Sequence, residues 1–185
     1  MGQSEKQKKQ KIQSILKEIS GGDTRKASKA IKSLEQYGDA SVIRPILQLL
    51  DQDNLKEKNE KELIELLFSI KDTSVVVEIM EILEDPEFKG VRSVLLSAIW
   101  NMKVDFSDYI DDFVLIAVDG SYLDALDCLT IIENLDGPFM EENILESQLH
   151  LKNYLEDDAP KDEQKAHLLS EIALCIKDIN QKLTN

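Results

Sequence analysis

Asp23-Thr-Arg-Lys-Ala-Ser-Lys-Ala-Ile-Lys-Ser-Leu-Glu-Gln-Tyr-Gly38-Asp-Ala-Ser-Val-Ile-Arg-Pro-Ile-Leu-Gln-Leu-Leu50 is the stretch on which the fold turns. Its first half sets Ala27, Ala30, Ile31 and Leu34 on one helical stripe and stops at Gly38, a residue suited to a left-handed helix terminus. Its second half starts near Ser41 and sets Ile43, Ile46, Leu47 and Leu50 on one face. Pro45 falls within the first turn of that helix or just past it, where a missing N–H costs least. Two amphipathic helices joined by a short polar turn predict a helical hairpin.

The same plan returns at a fixed interval. Asp39 lies between the two helices of the first hairpin, and Asp72, Asp105 and Pro138 hold the equivalent place, evenly spaced at thirty-three positions. Upstream of them run Leu63, Ile64, Leu67 and Ile70, then Leu95, Leu96, Ile99 and Met102, then Leu126, Leu129, Ile132 and Leu135. Downstream run Val76, Ile79, Met80 and Leu83, then Tyr109, Ile110, Phe113, Val114 and Ala117, then Ile144, Leu145 and Leu149. A constant period over four units marks a solenoid, in which each helix pair buries its apolar face by stacking on its neighbours.

The first unit resembles a HEAT repeat, of the armadillo/HEAT type. Asp23, Arg25, Ala27, Ala30, Leu34, Gly38, Asp39, Ile43, Pro45, Ile46 and Leu50 match that family's pattern: an acidic start, Arg and small residues along the first helix, a Gly-Asp turn, and an Ile-x-Pro-Ile/Leu-x-x-Leu-Leu second helix. The match is close over residues 23–51, and later units keep the period and the apolar stripe. The resemblance implies an all-α, right-handed α-α superhelix of about four hairpins whose second helices line a partner-binding concave surface. Hairpins are expected over 23–51, 55–84, 89–119 and 120–156 of one domain, 1–185. A helix within 4–22 caps the start, with Ile12, Ile15, Leu16 and Ile19 inward and Lys6, Lys8, Lys9 and Lys11 outward, closed by Gly21-Gly22. A last helix within 160–182 caps the end, with Leu168, Leu169, Ile172, Ile176 and Ile179 inward.

Composition agrees with a helical reading and narrows the partners. Among 185 residues, 42% are apolar and 7 Gly plus 4 Pro are too few for a turn-rich β-sandwich. The net charge of −14 comes from 36 Asp+Glu against 22 Lys+Arg, which argues against a nucleic-acid or anionic-membrane binder, because phosphate-rich surfaces need clustered cations. That charge is unevenly placed. Residues 1–38 carry nine Lys/Arg against four Asp/Glu, whereas residues 104–151 carry twelve carboxylates and no Lys or Arg.

No apolar run near the N-terminus suits a signal peptide, and no segment reaches the roughly 18 apolar residues of a membrane span. Lipidation at Gly2 is rejected because the myristoylation pattern needs Ser or Thr where Lys6 stands. Cys128 and Cys175 sit within helical apolar patterns and read as small buried residues of a reducing compartment, so a cytoplasmic protein is expected.

No catalytic constellation emerges. His150 follows Glu146 by one turn, and His167 stands midway between Glu163 and Glu171 at helical spacing, so both read as helix-surface pairs. No His-x-x-x-His or Cys-x-x-Cys pair suggests zinc, neither Asp119-Gly120 nor Asp136-Gly137 fits a calcium loop, and glycine-rich phosphate loops are missing. Asp108, Asp111 and Asp112 share one face of a helix at spacings of three and four. Some HEAT-like solenoids are DNA glycosylases, which directs attention to Trp100 and the nearby Asp105; the acidic balance opposes that comparison, and Trp100 is expected in the core beside Ile99.

The expectation is therefore a protein without enzymatic activity or cofactor, monomeric, that binds a basic segment of a protein partner. Asp108, Asp111, Asp112, Glu141, Glu142 and Glu146 would form the acidic surface. The alternatives are a carboxylate-based metal-dependent enzyme and a self-assembling scaffold.

Overall fold

A computed structural model describes residues 3–52 and 54–183 of the chain. Met1 and Gly2, where lipid attachment is rejected on sequence, lie outside them. The described residues are all-α, with ten α-helices and three short 3-10 turns. They pack as two compact units, Met1–Val104 and Asp105–Asn185, the boundary falling between the two helices of the third expected hairpin.

The first unit holds α1 (Gln3–Ile19), α2 (Thr24–Leu34), α3 (Ala40–Asp51), α4 (Glu57–Ser69), α5 (Val75–Glu84) and α6 (Arg92–Asn101). Side chains start several of them. The Asp23 carboxylate accepts the Arg25 and Lys26 N–H groups at 3.0 Å, satisfying donors that the first turn of α2 leaves open. Asp39 does the same for α3 through the Ser41 N–H. The Gly21-Gly22 closure after α1 holds, with Gly22 at φ +79°, a conformation that a side chain disfavours.

Gly38 does not behave as expected. At φ −67° it is not left-handed; α2 ends at Leu34 and tightens into a 3-10 turn over Glu35–Tyr37, which carries the chain into α3. In that unit α2 packs on α4, α4 on α6 and α3 on α5, while α1 lies against α2 and α3.

The second unit holds α7 (Ile110–Asp119), α8 (Tyr122–Glu133), α9 (Glu141–Glu156) and α10 (Glu163–Leu183). Ser121 and Asp124 form a reciprocal capping box at the start of α8. Gly137, at φ +74°, turns the chain before a cis Pro138. Here α7 packs on α9 and α8 on α10. Phe106 and Phe113, both fully buried, meet edge to face with centroids 6.2 Å apart.

The periodicity is written into the buried positions. Val42, Ile46, Leu47 and Leu49 of α3 recur one period later as Val75, Ile79, Met80 and Ile82 of α5, all buried. Leu95, Leu96, Ala98 and Ile99 of α6 recur by the same step as Cys128, Leu129, Ile131 and Ile132 of α8. Ile110, Phe113 and Ala117 of α7 recur as Ile144, Ser147 and Leu151 of α9, a step longer by a single position.

That register corrects several inward assignments. Leu126 is turned outward, because its neighbours Ala125 and Cys128 take the inner stripe of α8. Leu145 and Leu149 are also exposed, since α9 uses Ile144, Ser147 and Leu151 as its inner face. Trp100 is 43% exposed, while Leu96, Ala98 and Ile99 fill the core around that turn of α6.

Candidate interaction surface

The turn residues form the first recurring feature. Asp39, Asp72 and Asp105 each accept the backbone N–H of the residue two positions on, Ser41, Ser74 and Ser107, at 3.0, 2.8 and 3.0 Å. The short Asp side chain bonds its own backbone and so starts the following helical segment without help from a neighbour. Sequence reading found the aspartates and missed the serines, although Asp-x-Ser repeats at the same step.

Each turn is then used differently. Asp39 forms an ion pair with Lys8 of α1. Burial pushes its carboxyl up, but the hydrogen bonds from Lys8 and Ser41 outweigh this and hold it below the usual range. Asp72 is lowered chiefly by its bonds from Ser74. Ser107 is buried, donates to Asp105 at 2.6 Å and accepts the Gly137 N–H at 3.0 Å, which ties its turn to the one before α9.

The six carboxylates expected to bind a partner all lie in the second unit. Asp108 is not on α7 as expected; it sits in the 3-10 turn Ser107–Tyr109 that precedes it, because α7 starts at Ile110. Its side chain is exposed, and its backbone carbonyl accepts the Asn143 amide of α9 at 2.6 Å. Asp111 and Asp112 occupy the first turn of α7, half-buried, where the helix dipole favours negative charge. Glu141 and Glu142 do the same for α9, and Glu146 follows one turn later; all three are exposed.

Packing of α7 on α9 brings Asp111 within electrostatic reach of both Glu146 and His150. Burial raises the Asp111 carboxyl above its ordinary range, Glu146 adds to the rise, and His150 opposes it. His167, by contrast, is exposed on α10. Lys165 commits its amine to the Val118 and Gly120 carbonyls at 2.5 and 2.7 Å, at the C-terminal end of α7.

Apolar surface is interleaved with these acids. Leu115 on α7 is 38% exposed, and Leu145 and Leu149 on α9 are 55% and 46% exposed. Sequence reading placed the last two in the core; the signal for their true side is the correspondence, thirty-four positions on, with Asp111 and Leu115.

Among the described residues no group of three or more His, Cys, Asp or Glu side chains is placed to hold a metal ion. No helix among them is long and apolar enough to cross a membrane. Neither cysteine is in a disulfide; Cys128 is buried and Cys175 half-buried, its thiol pushed up by burial and by Glu133, Asp178 and Glu171. Asp105, weighed with Trp100 as a glycosylase-like acid, is engaged by Ser107 through both the backbone and the hydroxyl. Comparison with family models, with curated proteins and with solved structures finds no match.

Proposed function

We propose that the chain is a non-catalytic protein-interaction module, a right-handed α-solenoid of HEAT-like hairpins that presents an acidic surface to a basic segment of a partner protein. The observation that carries this reading is the one-signed stretch 104–151, which contains no Lys or Arg and bears Asp108 in the turn before α7, Asp111 and Asp112 on α7, and Glu141, Glu142 and Glu146 on α9. A run of carboxylates with no cation interspersed in sequence makes the local potential more negative, which speeds encounter with a cationic partner and penalises acidic ones.

The solenoid reading draws on the packing of alternate helices, α2 on α4 on α6 and α3 on α5, then α7 on α9 and α8 on α10. The periodic return of buried positions supports it as well. Two cysteines outside any disulfide favour a reducing, cytoplasmic setting. In this reading the protein acts as a monomer and uses no cofactor.

The test is affinity capture with the triple variant Asp108→Lys, Glu142→Lys, Glu146→Lys. These three side chains are exposed, and the half-buried Asp111 and Asp112 stay in place to preserve the fold. Partners bearing Lys/Arg-rich segments should be retained by the wild type at low salt, released as salt screens the contact, and lost from the variant. Identical partner sets from both proteins would overturn the proposal.

A further inference from the structure

The flank of α9 that bears Leu145 and Leu149 is the counterpart, thirty-four positions on, of the flank of α7 that bears Asp111 and Leu115. The buried set Ile110, Phe113 and Ala117 of α7 recurs in α9 as Ile144, Ser147 and Leu151, and by the same step Asp111 and Leu115 correspond to Leu145 and Leu149. On α7, half-buried Asp111 lies within electrostatic reach of Glu146 and His150 of α9, while Leu115 is exposed. On α9 the corresponding side chains are exposed at 55% and 46%, one helical turn apart and so neighbours on one side of the helix.

We propose that this flank of α9 seats an amphipathic helix of a protein partner, with apolar side chains against Leu145 and Leu149 and Lys or Arg side chains towards Glu141, Glu142 and Glu146. The inference rests on the acidic-surface reading above and specifies the partner's chemistry. Charge chooses the occupant: Lys152, the first cation on α9, lies 3.7 Å from Glu156, and no Lys or Arg precedes it in the second unit to offset the three acids at the start of the helix. The chain's own basic helix, α1, does not qualify, because its apolar residues Ile12, Ile15 and Ile19 are buried in the first unit. Two leucines one turn apart beside acids are what an amphipathic basic helix can read through its own apolar anchors.

The probe is a synthetic helical peptide of about 16 residues, the length of α9, with Leu along one face and Lys on the others, titrated into the full chain by calorimetry. A second peptide keeps the Lys residues and replaces Leu by Ser. The wild type should bind the first peptide one to one and at least tenfold more tightly than the second. Leu145→Ser/Leu149→Ser should abolish that preference with its helical circular dichroism unchanged, whereas Leu126→Ser, at an exposed leucine of α8, should keep it.

Equal binding of both peptides, or a preference that survives the double variant, overturns the helix-docking inference and leaves the acidic surface standing. Binding of neither peptide overturns both. A dimer in sedimentation that the double variant abolishes would assign the flank to a second copy and overturn the partner-helix inference.

Discussion

The two units bury their cores by one rule and finish their surfaces by two. In Met1–Val104, cations answer carboxylates across helices. Arg44 reaches Glu78 at 3.0 Å and Asp85 at 2.9 Å while lying 5.1 Å over the Phe88 ring, and Lys8 pairs with Asp39. A buried amide, Asn59, donates to the Thr24 carbonyl, the Ser28 hydroxyl and Glu62, linking α4 to α2. Large exposed hydrophobic side chains are confined to Val77 and Trp100 among its described residues.

In Asp105–Asn185, by contrast, the acids of residues 105–151 have no Lys or Arg among them in sequence, and Leu115, Leu145 and Leu149 stand out beside them. A repeated core constrains only the inner stripe of each helix, so the outer stripe is free to diverge. The unit that sets one sign of charge beside exposed apolar side chains is the one to examine for partners.

The largest effect that would test the shared core rule is Phe113→Ala. Loss of a fully buried ring against Phe106 should cost about 3–5 kcal/mol in denaturant unfolding. Ile46→Ala in the first unit should cost about 2–5 kcal/mol for the same reason. A loss under about 1 kcal/mol at either site would contradict its place in the repeated stripe.

Next comes the internal stitching of the first unit. Asn59→Ala leaves the Thr24 carbonyl short of a donor and should cost about 1–3 kcal/mol. A neutral result by thermal melting would show that α2 and α4 do not rely on that amide.

Two of the three Asp-x-Ser turns, one in each unit, give a graded comparison. Ser107→Ala removes the acceptor of the Gly137 N–H as well as a donor to Asp105, and should cost about 1–3 kcal/mol. Ser41→Ala, whose hydroxyl serves Asp39 at an exposed site, should cost less than about 1 kcal/mol. Equal losses would mean that the link between successive turns adds nothing.

The smallest effect concerns Asp111. Its carboxyl titrates above the ordinary 3.8 in the folded protein, so the folded state holds more protons than the unfolded one just above that pH. The ionised form is therefore a cost to folding at neutral pH, and the cost disappears as pH falls through the raised value to 3.8. Asp111→Asn should melt slightly higher than wild type at pH 7, with the difference shrinking on acidification. A variant less stable at pH 7 would contradict the sign.

Much of this architecture was legible from residues 23–50 and the constant step. Ala27, Ala30, Ile31 and Leu34 are buried as read, and so are Ile43, Ile46 and Leu47. Structure and expectation part where leucine density exceeds what one stripe can bury. In α9, Ile144, Leu145, Leu149, Leu151 and Leu155 offer more apolar residues than the inner face holds, and a small polar residue, Ser147, takes an inner position that apolar periodicity does not flag. At Gly38 the chain uses a 3-10 turn and an Asp cap instead of a left-handed terminus, so glycine there reflects no backbone demand. The acidic residues of the candidate surface could be named from sequence, but the placement of Asp108 before α7 and of Asp111 opposite Glu146 and His150 depends on where the helices start and how they pack.

What must hold, if the second unit is the partner-binding one, is that its surface rather than total charge binds the basic segment. The direct measurement sets two charge-reversed proteins side by side against the Lys-and-Leu peptide at low salt: Asp108→Lys/Glu146→Lys in the second unit, and Glu81→Lys/Glu84→Lys, also exposed, on α5 of the first. Each pair of reversals changes the net charge from −14 to −10. At least a tenfold weaker complex is predicted for the first protein and wild-type affinity for the second. Equal weakening in both would contradict the claim, because the peptide would then be reading net charge alone.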